Sequence, residues 1–203
     1  MPKITFFNLA AEKRERLMQA LHAEFSRVPL NEASIANIVK AAGIPRGSFY
    51  QYFENKDDAF LFMLEQVVVG AQASFHKQLQ AQNGDLFAAL GAFYRIFLED
   101  AAELAFLRNT FLHMSMQKEQ VVQRIFKDTE QTERFDEIRA YLNTAFQHLS
   151  ATELYYLMDI LMVVTFHNIV RKFANDLPVE AAAHHYEQEL AFLQKRLLQD
   201  VPN

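Results

Sequence analysis

Residues 34–56 read Ser34-Ile-Ala-Asn-Ile-Val-Lys-Ala-Ala-Gly43-Ile-Pro-Arg-Gly-Ser-Phe-Tyr-Gln-Tyr-Phe-Glu-Asn-Lys56. Ile35, Ile38, Val39 and Ala42 share one apolar face at i, i+3, i+4 and i+7, which predicts a short helix over 35–42. Ser34 stands at its N-cap position. Gly43 falls where a helix end needs positive φ. Ile44 returns to the core, and Pro45 suits the first turn of a further helix over about 45–53. The arrangement is a helix, a tight turn and a second helix. On the second helix Phe49 and Phe53 pack inward with Ile44, while Arg46, Gly47, Ser48, Tyr50, Gln51 and Tyr52 face out. Outward tyrosines beside Ser, Gln and Arg suit phosphates and base edges. A glycine inside a helix costs about 0.5–1 kcal/mol relative to alanine. At Gly47 it would let the backbone approach another surface closely. A generic helical hairpin buried in a core would leave this outward set unexplained.

The flanking sequence also reads as helices. Asn8 is expected to cap a first helix with the stripe Leu17, Leu21 and Phe25, ended by Val28-Pro29-Leu30-Asn31. After the turn Glu54-Asn55-Lys56, a helix is expected over 57–82, its start favoured by Asp57 and Asp58 and its end closed by Asn83-Gly84. Asp85 caps the next, to about Asp100, and another lies near Glu103–His113. A long helix is expected from about Lys118 to Leu149, then one capped by Ser150 or Thr152 and running to about Asn175. The last starts near Pro178 and ends before Pro202. No proline lies between Pro45 and Pro178, so long helices run without forced breaks. The expected fold class is all-α, with a helix-turn-helix head on residues 1–56 and a larger helical body on 57–203.

With 203 residues, the chain can bury a core without staples. It contains no cysteine, which excludes disulfides, thiol catalysis and Cys-ligated metals. Residues 1–56 hold 8 Lys+Arg against 5 Asp+Glu, a balance of +3, and the remainder hold 12 against 20, a balance of −8. A mildly basic head on an acidic body hints at a DNA-facing end. The first residues lack the apolar core of a signal peptide. Leu154 to Val170 is the most apolar stretch, but it contains Asp159, His167 and Asn168 and reads as a buried helix rather than a membrane span. The expected location is the cytoplasm, with no membrane partner.

The run from Ala42 to Phe60 is similar to the signature of TetR/AcrR-type bacterial transcriptional regulators, an Ala-Gly-Val-Ser-Lys-Gly-Thr-Phe-Tyr-like stretch followed by Tyr-Phe, a short turn and Lys. Two positions depart from it. Pro45 replaces the usual hydroxyl cap, and Val39 stands where a small alanine is common. The resemblance implies that Ser34 caps its helix and touches phosphate, and that Arg46, Gly47, Ser48, Tyr50 and Gln51 lie on a recognition helix. It further implies that Tyr50 and Tyr52 hold phosphates or sugars, that Arg46 and Gln51 read bases, and that Lys56 contacts a phosphate. It implies a homodimer, usually a repressor, released from palindromic double-stranded DNA by a small molecule bound in the C-terminal part.

Polar groups set in the apolar helices of the body are candidates for a mostly apolar effector site. The expected set is Arg108, Asn109 and His113 as polar contacts, with Phe97, Phe111, Phe126 and Thr165 as walls. An inward Arg108 would favour an amphipathic acid, because a buried guanidinium needs an anion. A solvent-facing Arg108 would leave neutral or cationic lipophiles equally suited. For dimerisation the last two helices are expected to pair through Leu154, Leu161, Tyr186, Leu190, Leu193 and Leu197. His184-His185 does not chelate, since adjacent helical residues point about 100° apart, so no metal and no cofactor is expected. No G-x-S-x-G, P-loop, H-E-x-x-H or G-x-G-x-x-G occurs, so no enzyme is expected. The alternative reading is a helical effector-binding or scaffolding protein without DNA binding.

Overall fold

Helix punctuation written into the sequence sets most of the architecture. A computed structural model describes residues 1–112, 138–146 and 148–199. In chain order it has α1 (Ile4–Phe7), α2 (Ala11–Arg27), α3 (Ile35–Ala42), α4 (Arg46–Tyr52), α5 (Lys56–Ala81), α6 (Leu86–Glu99), α7 (Ala101–Leu112), a 3-10 turn (Thr144–Phe146), α8 (Ala151–Ala174) and α9 (Val179–Gln199). Among the described residues there is no strand, and the fold is all-α. Asp85 caps α6 by accepting from the Phe87 and Ala88 amides, at 3.0 Å each. Ser150 opens α8 with a reciprocal capping box to Glu153.

The chain divides into two compact units. The first contains Met1–Gly70 and α7. Its core is the stripe Leu17, Leu21 and Phe25 of α2 against Ile38 of α3, Phe49 of α4, Phe60 of α5 and Phe106 of α7. Edge-on and tilted aromatic pairs lock it, with Phe25 on Phe60 at 5.3 Å and Phe60 on Phe106 at 5.5 Å. Burying one such ring contributes about 1.5–3 kcal/mol.

The second unit contains Ala71–Asp100 and the helices α8 and α9. Gly84, at φ 77°, turns the chain so tightly that an added Cβ would lie 2.1 Å from the Tyr141 carbonyl oxygen. Only glycine fits there, and its own carbonyl accepts from the Asn143 amide at 3.1 Å. The Tyr94 and Tyr186 rings of α6 and α9 meet at 4.4 Å, and Arg95 pairs with Glu187 at 2.5 Å.

Several expectations change. Asn8 does not cap α2; it ends α1, and Ala10 holds the N-cap position of α2 without a side-chain bond. Pro45 sits just before α4 rather than within its first turn. The long helix expected to reach Leu149 is helical at 138–141 and then gives way to the 3-10 turn, because the chain pairs with Gly84 there. Most of that expected helix lies outside the described residues. The apolar stretch Leu154 to Val170 is not buried all round. Leu154, Leu157, Leu161, Thr165 and Asn168 face inward, while Tyr156, Ile160, Met162 and Val163 are exposed. By length and composition α8 is long and apolar enough to cross a membrane. Its polar side chains bond to α9, with Thr165 to the Tyr186 hydroxyl at 2.6 Å and Asn168 to Glu189 at 2.6 Å.

Candidate nucleic-acid interface

The turn between α3 and α4 follows from Gly43. Its φ of 67° and ψ of 35° lie in the left-handed region. The Ile44 amide donates to the Val39 carbonyl at 3.0 Å, and the Gly43 amide to that of Lys40 at 3.3 Å. This pair of bonds is the Schellman closure, and it aims the chain directly into α4. Phe49 and Phe53 are fully buried and bind α4 to the core. Their burial decides which face looks out. Arg46, Gly47 and Gln51 are exposed, Tyr50 is 42% exposed, and Ser48 and Tyr52 are half-buried. Among the described residues a Cβ at Gly47 would meet nothing within 4 Å, so no packing among them calls for glycine there. The outer face of α4 therefore presents a guanidinium, a carboxamide, a phenol and a bare backbone patch side by side.

Two expected contacts are engaged elsewhere. Ser34 is at the N-cap position of α3, but its side chain makes no capping bond. Its amide donates instead to Glu24 Oε1 at 2.8 Å. The Lys56 ammonium donates to the Asn31 and Ala33 carbonyls at 3.1 and 3.0 Å. Two of its three donors thus hold the α2–α3 loop, and a phosphate would take the third.

Glu24 is a residue that the sequence reading missed. It is only 6% exposed, yet its carboxylate accepts from Arg27, the Ser34 amide and the Asn37 carboxamide. One acid thereby joins α2 to the start of α3. The signal was present in the sequence: Glu24 falls seven residues after Leu17 and three after Leu21, on the apolar face of α2. Burial alone would raise its carboxyl pKa, but the hydrogen bonds from Arg27, Ser34 and Asn37 outweigh that and hold it below the ordinary glutamate value. A group lowered in this way contributes stability above its unfolded value and loses it as pH falls through its folded value. Glu24→Gln is therefore expected to lower the melting temperature at neutral pH by an amount that shrinks below about pH 4.5. Thermal melts of both proteins from pH 7 to 3 check this, and a difference independent of pH would contradict it.

The expected effector residues divide between the two units. Arg108, Asn109 and Phe111 lie on α7 in the first unit, with Arg108 exposed. The Asn109 carboxamide donates to the Phe25 and Ser26 carbonyls at 3.2 and 2.8 Å, closing the end of α2. Phe97 and Thr165 lie in the second unit, where the Thr165 hydroxyl is bonded to Tyr186 and to the Leu161 carbonyl. His113 and Phe126 lie outside the described residues. Of the expected dimer residues, Leu154, Leu161, Tyr186 and Leu190 are buried within the single chain and have little surface for a partner. Leu193 is half-buried and Leu197 exposed. The apolar side chains left in the open on these helices also include Tyr156, Ile160, Met162, Val163 and Phe192.

Comparison with known proteins bears on this geometry. Residues 17–61 match the model of bacterial regulatory proteins of the tetR family, and residues 85–195 match that of the tetracyclin repressor-like C-terminal domain. The uncharacterized HTH-type transcriptional regulator YdgC of Bacillus subtilis is 43% identical over 49 residues, 24% of this chain and 25% of that protein. The chain thus spans about a quarter of the length of the curated relatives it matches. A TetR family regulator from Chloroflexus aurantiacus has a similar structure, with TM-score 0.54 and 24% identity over 96% of this chain and 97% of that one. FadR from Bacillus subtilis, solved in complex with stearoyl-CoA, gives TM-score 0.58 at 13% identity over 87% and 96% of the two chains.

Proposed function

The chain belongs to the tetR family of bacterial regulatory proteins, and from that premise we propose that it is a cytoplasmic, ligand-released repressor that grips palindromic DNA as a homodimer. The family consists of DNA-binding transcriptional regulators that are not enzymes. The observation that carries the proposal is the outer face of α4. Arg46, Gly47, Tyr50 and Gln51 point outward from a helix whose other face is pinned by Phe49 and Phe53. In this reading Arg46 and Gln51 meet base edges, Tyr50 and Tyr52 meet the backbone, and Gly47 lets the helix sit close to the groove. Residues 1–56 read DNA, and residues 57–203 dimerise and bind the effector.

Two-fold symmetry supplies the second recognition helix. Two heads would enter successive major grooves about 34–36 Å apart, or a multiple of that. The effector is an apolar or amphipathic small molecule. With Arg108 exposed, no preference for an acid is assigned to it. The stearoyl-CoA held by the Bacillus subtilis FadR is an effector-like ligand of the amphipathic class and supports this choice. Release would be a population shift, in which the ligand binds better to dimers whose heads are wrongly spaced, with a coupling of about 1–3 kcal/mol.

Selection from a random duplex library with the full-length protein tests the proposal. A two-fold symmetric site with half-sites one or two helical turns apart is the expected result. Its binding should weaken steeply with salt. Enrichment of no duplex would overturn the assignment and favour an effector-binding or scaffolding protein without DNA binding.

A further inference from the structure

The last carbonyls of a helix have no partner within it, and a helix of seven residues has few bonds of its own to hold it. The C-terminal end of α4 has one local bond, from the Phe53 amide to the Phe49 carbonyl at 2.9 Å, which leaves the Tyr50, Gln51 and Tyr52 carbonyls to find other partners. Its last turn holds no basic residue, and Phe53 follows in extended conformation rather than as a left-handed glycine. Instead, a segment about fifty residues upstream covers it. The Lys3 amide donates to the Tyr52 carbonyl at 2.8 Å. The Lys3 ammonium donates to the Tyr50 carbonyl at 2.8 Å, and the Thr5 hydroxyl donates to the Gln51 carbonyl. Three consecutive orphan carbonyls thus receive three donors. The ammonium also lies at the negative end of the helix dipole, where a cation is favoured. Phe6, buried, anchors the segment through rings at 5.3 Å from Phe53 and 5.2 Å from Phe62.

We propose that residues 3–7 form a strap that caps the recognition helix from outside and sets its presentation to DNA, with Lys3 and Thr5 as positioning residues. The inference rests on the reading of α4 as the DNA-reading element. The carbonyls that the strap holds belong to Tyr50, Gln51 and Tyr52, residues whose side chains are assigned to phosphates and bases. Holding that backbone keeps the last turn of α4 wound before DNA arrives. Without the strap only a fraction of molecules would present the wound turn, and apparent affinity would fall by that fraction.

Thr5→Val and Lys3→Met, made in the full chain, test the proposal against the duplex selected by the wild-type protein and an unrelated duplex of equal length. Each variant is expected to lose about tenfold in affinity for the selected duplex, the fold-change of one net hydrogen bond. Affinity for the unrelated duplex and the salt slope should not change. Thr5→Ser, which keeps the hydroxyl, should restore binding. In the DNA-free proteins, amide exchange at residues 49–53 should quicken in Thr5→Val and Lys3→Met while the melting temperature holds. Unchanged exchange there would overturn the strap whatever the DNA result. A silent Thr5→Val beside a Lys3→Met that flattens the salt slope by about one would make Lys3 a phosphate contact instead. A wild-type protein that selects a palindrome while both variants bind it normally defeats the strap alone. A wild-type protein that selects nothing defeats the DNA-reading assignment together with the strap.

Discussion

Replacing Arg46 and Tyr50 together by alanine is expected to abolish sequence-specific duplex binding while leaving the fold intact. Both side chains are exposed on α4, with the Tyr50 ring edge-on to the buried Phe49 ring at 5.5 Å, and neither forms part of the core. An arginine that reads a base contributes about 1–3 kcal/mol of discrimination. A tyrosine that holds a backbone phosphate adds a further hydrogen bond, and a charged acceptor makes that bond worth about 1.5–3 kcal/mol. Removing both should cost about 2.5–6 kcal/mol, roughly 70-fold to twenty-thousand-fold in Kd. The single variants should differ in kind. Arg46→Ala should relax the preference at one base position in each half-site, and Tyr50→Ala should weaken all sequences alike. Gel-shift titrations at several salt concentrations, with circular dichroism as the control for folding, make the measurement. Wild-type affinity in the double variant would remove α4 from the interface.

Charging the open face of α8 is the second large effect. Ile160 is 52% and Val163 60% exposed, and Tyr156 lies one turn before Ile160 on the same face. Apolar side chains stacked this way along a long helix form the kind of stripe that a partner covers. On the proposal of a homodimer built from α8 and α9, Ile160→Glu with Val163→Glu would place four carboxylates in a two-fold interface. The expected penalty is about 4 kcal/mol or more, roughly a thousandfold in the dimer Kd. Sedimentation velocity should then find monomers with native helicity, and the selected duplex should bind with half-site affinity only. A variant that stays dimeric would locate the interface elsewhere. Charges at Leu154, Leu161 or Leu190 would not make a clean test, since those side chains lie in the core of the single chain and the variant would lose stability for that reason.

These two experiments probe surfaces of different legibility. The outward face of α4 could be read directly, because its pattern is local. Burying Phe49 turns Gln51, two positions on and about 200° around the helix, to the outside, and Arg46 and Tyr50 are exposed beside it. The face of α8 could not. Leu157, Ile160, Leu161 and Val163 are equally apolar by type, and no rule of periodicity says which of them the same chain covers. That choice was made by α9, through Tyr186 and Glu189 bonded to Thr165 and Asn168.

The sequence by itself determined where helices stop and turn. Gly43 demanded a left-handed residue, Asn83-Gly84 closed α5, and Asp85 and Ser150 opened α6 and α8 as caps. Each of these is settled within about four residues by sterics and hydrogen bonding, so neighbouring letters suffice. Asn8 shows the limit of that rule, since its side chain fits a cap and the chain put a short helix in front of it instead. Only the tertiary structure decided what polar side chains do. Lys56 bonds carbonyls 23 and 25 residues away, Asn109 bonds carbonyls 83 and 84 residues away, and Lys3 reaches Tyr50 across 47. A lysine, an asparagine or a threonine carries donors that suit phosphate, ligand or backbone equally. Which acceptor they take depends on the group that packing brings within 3 Å, and no local pattern encodes that neighbour.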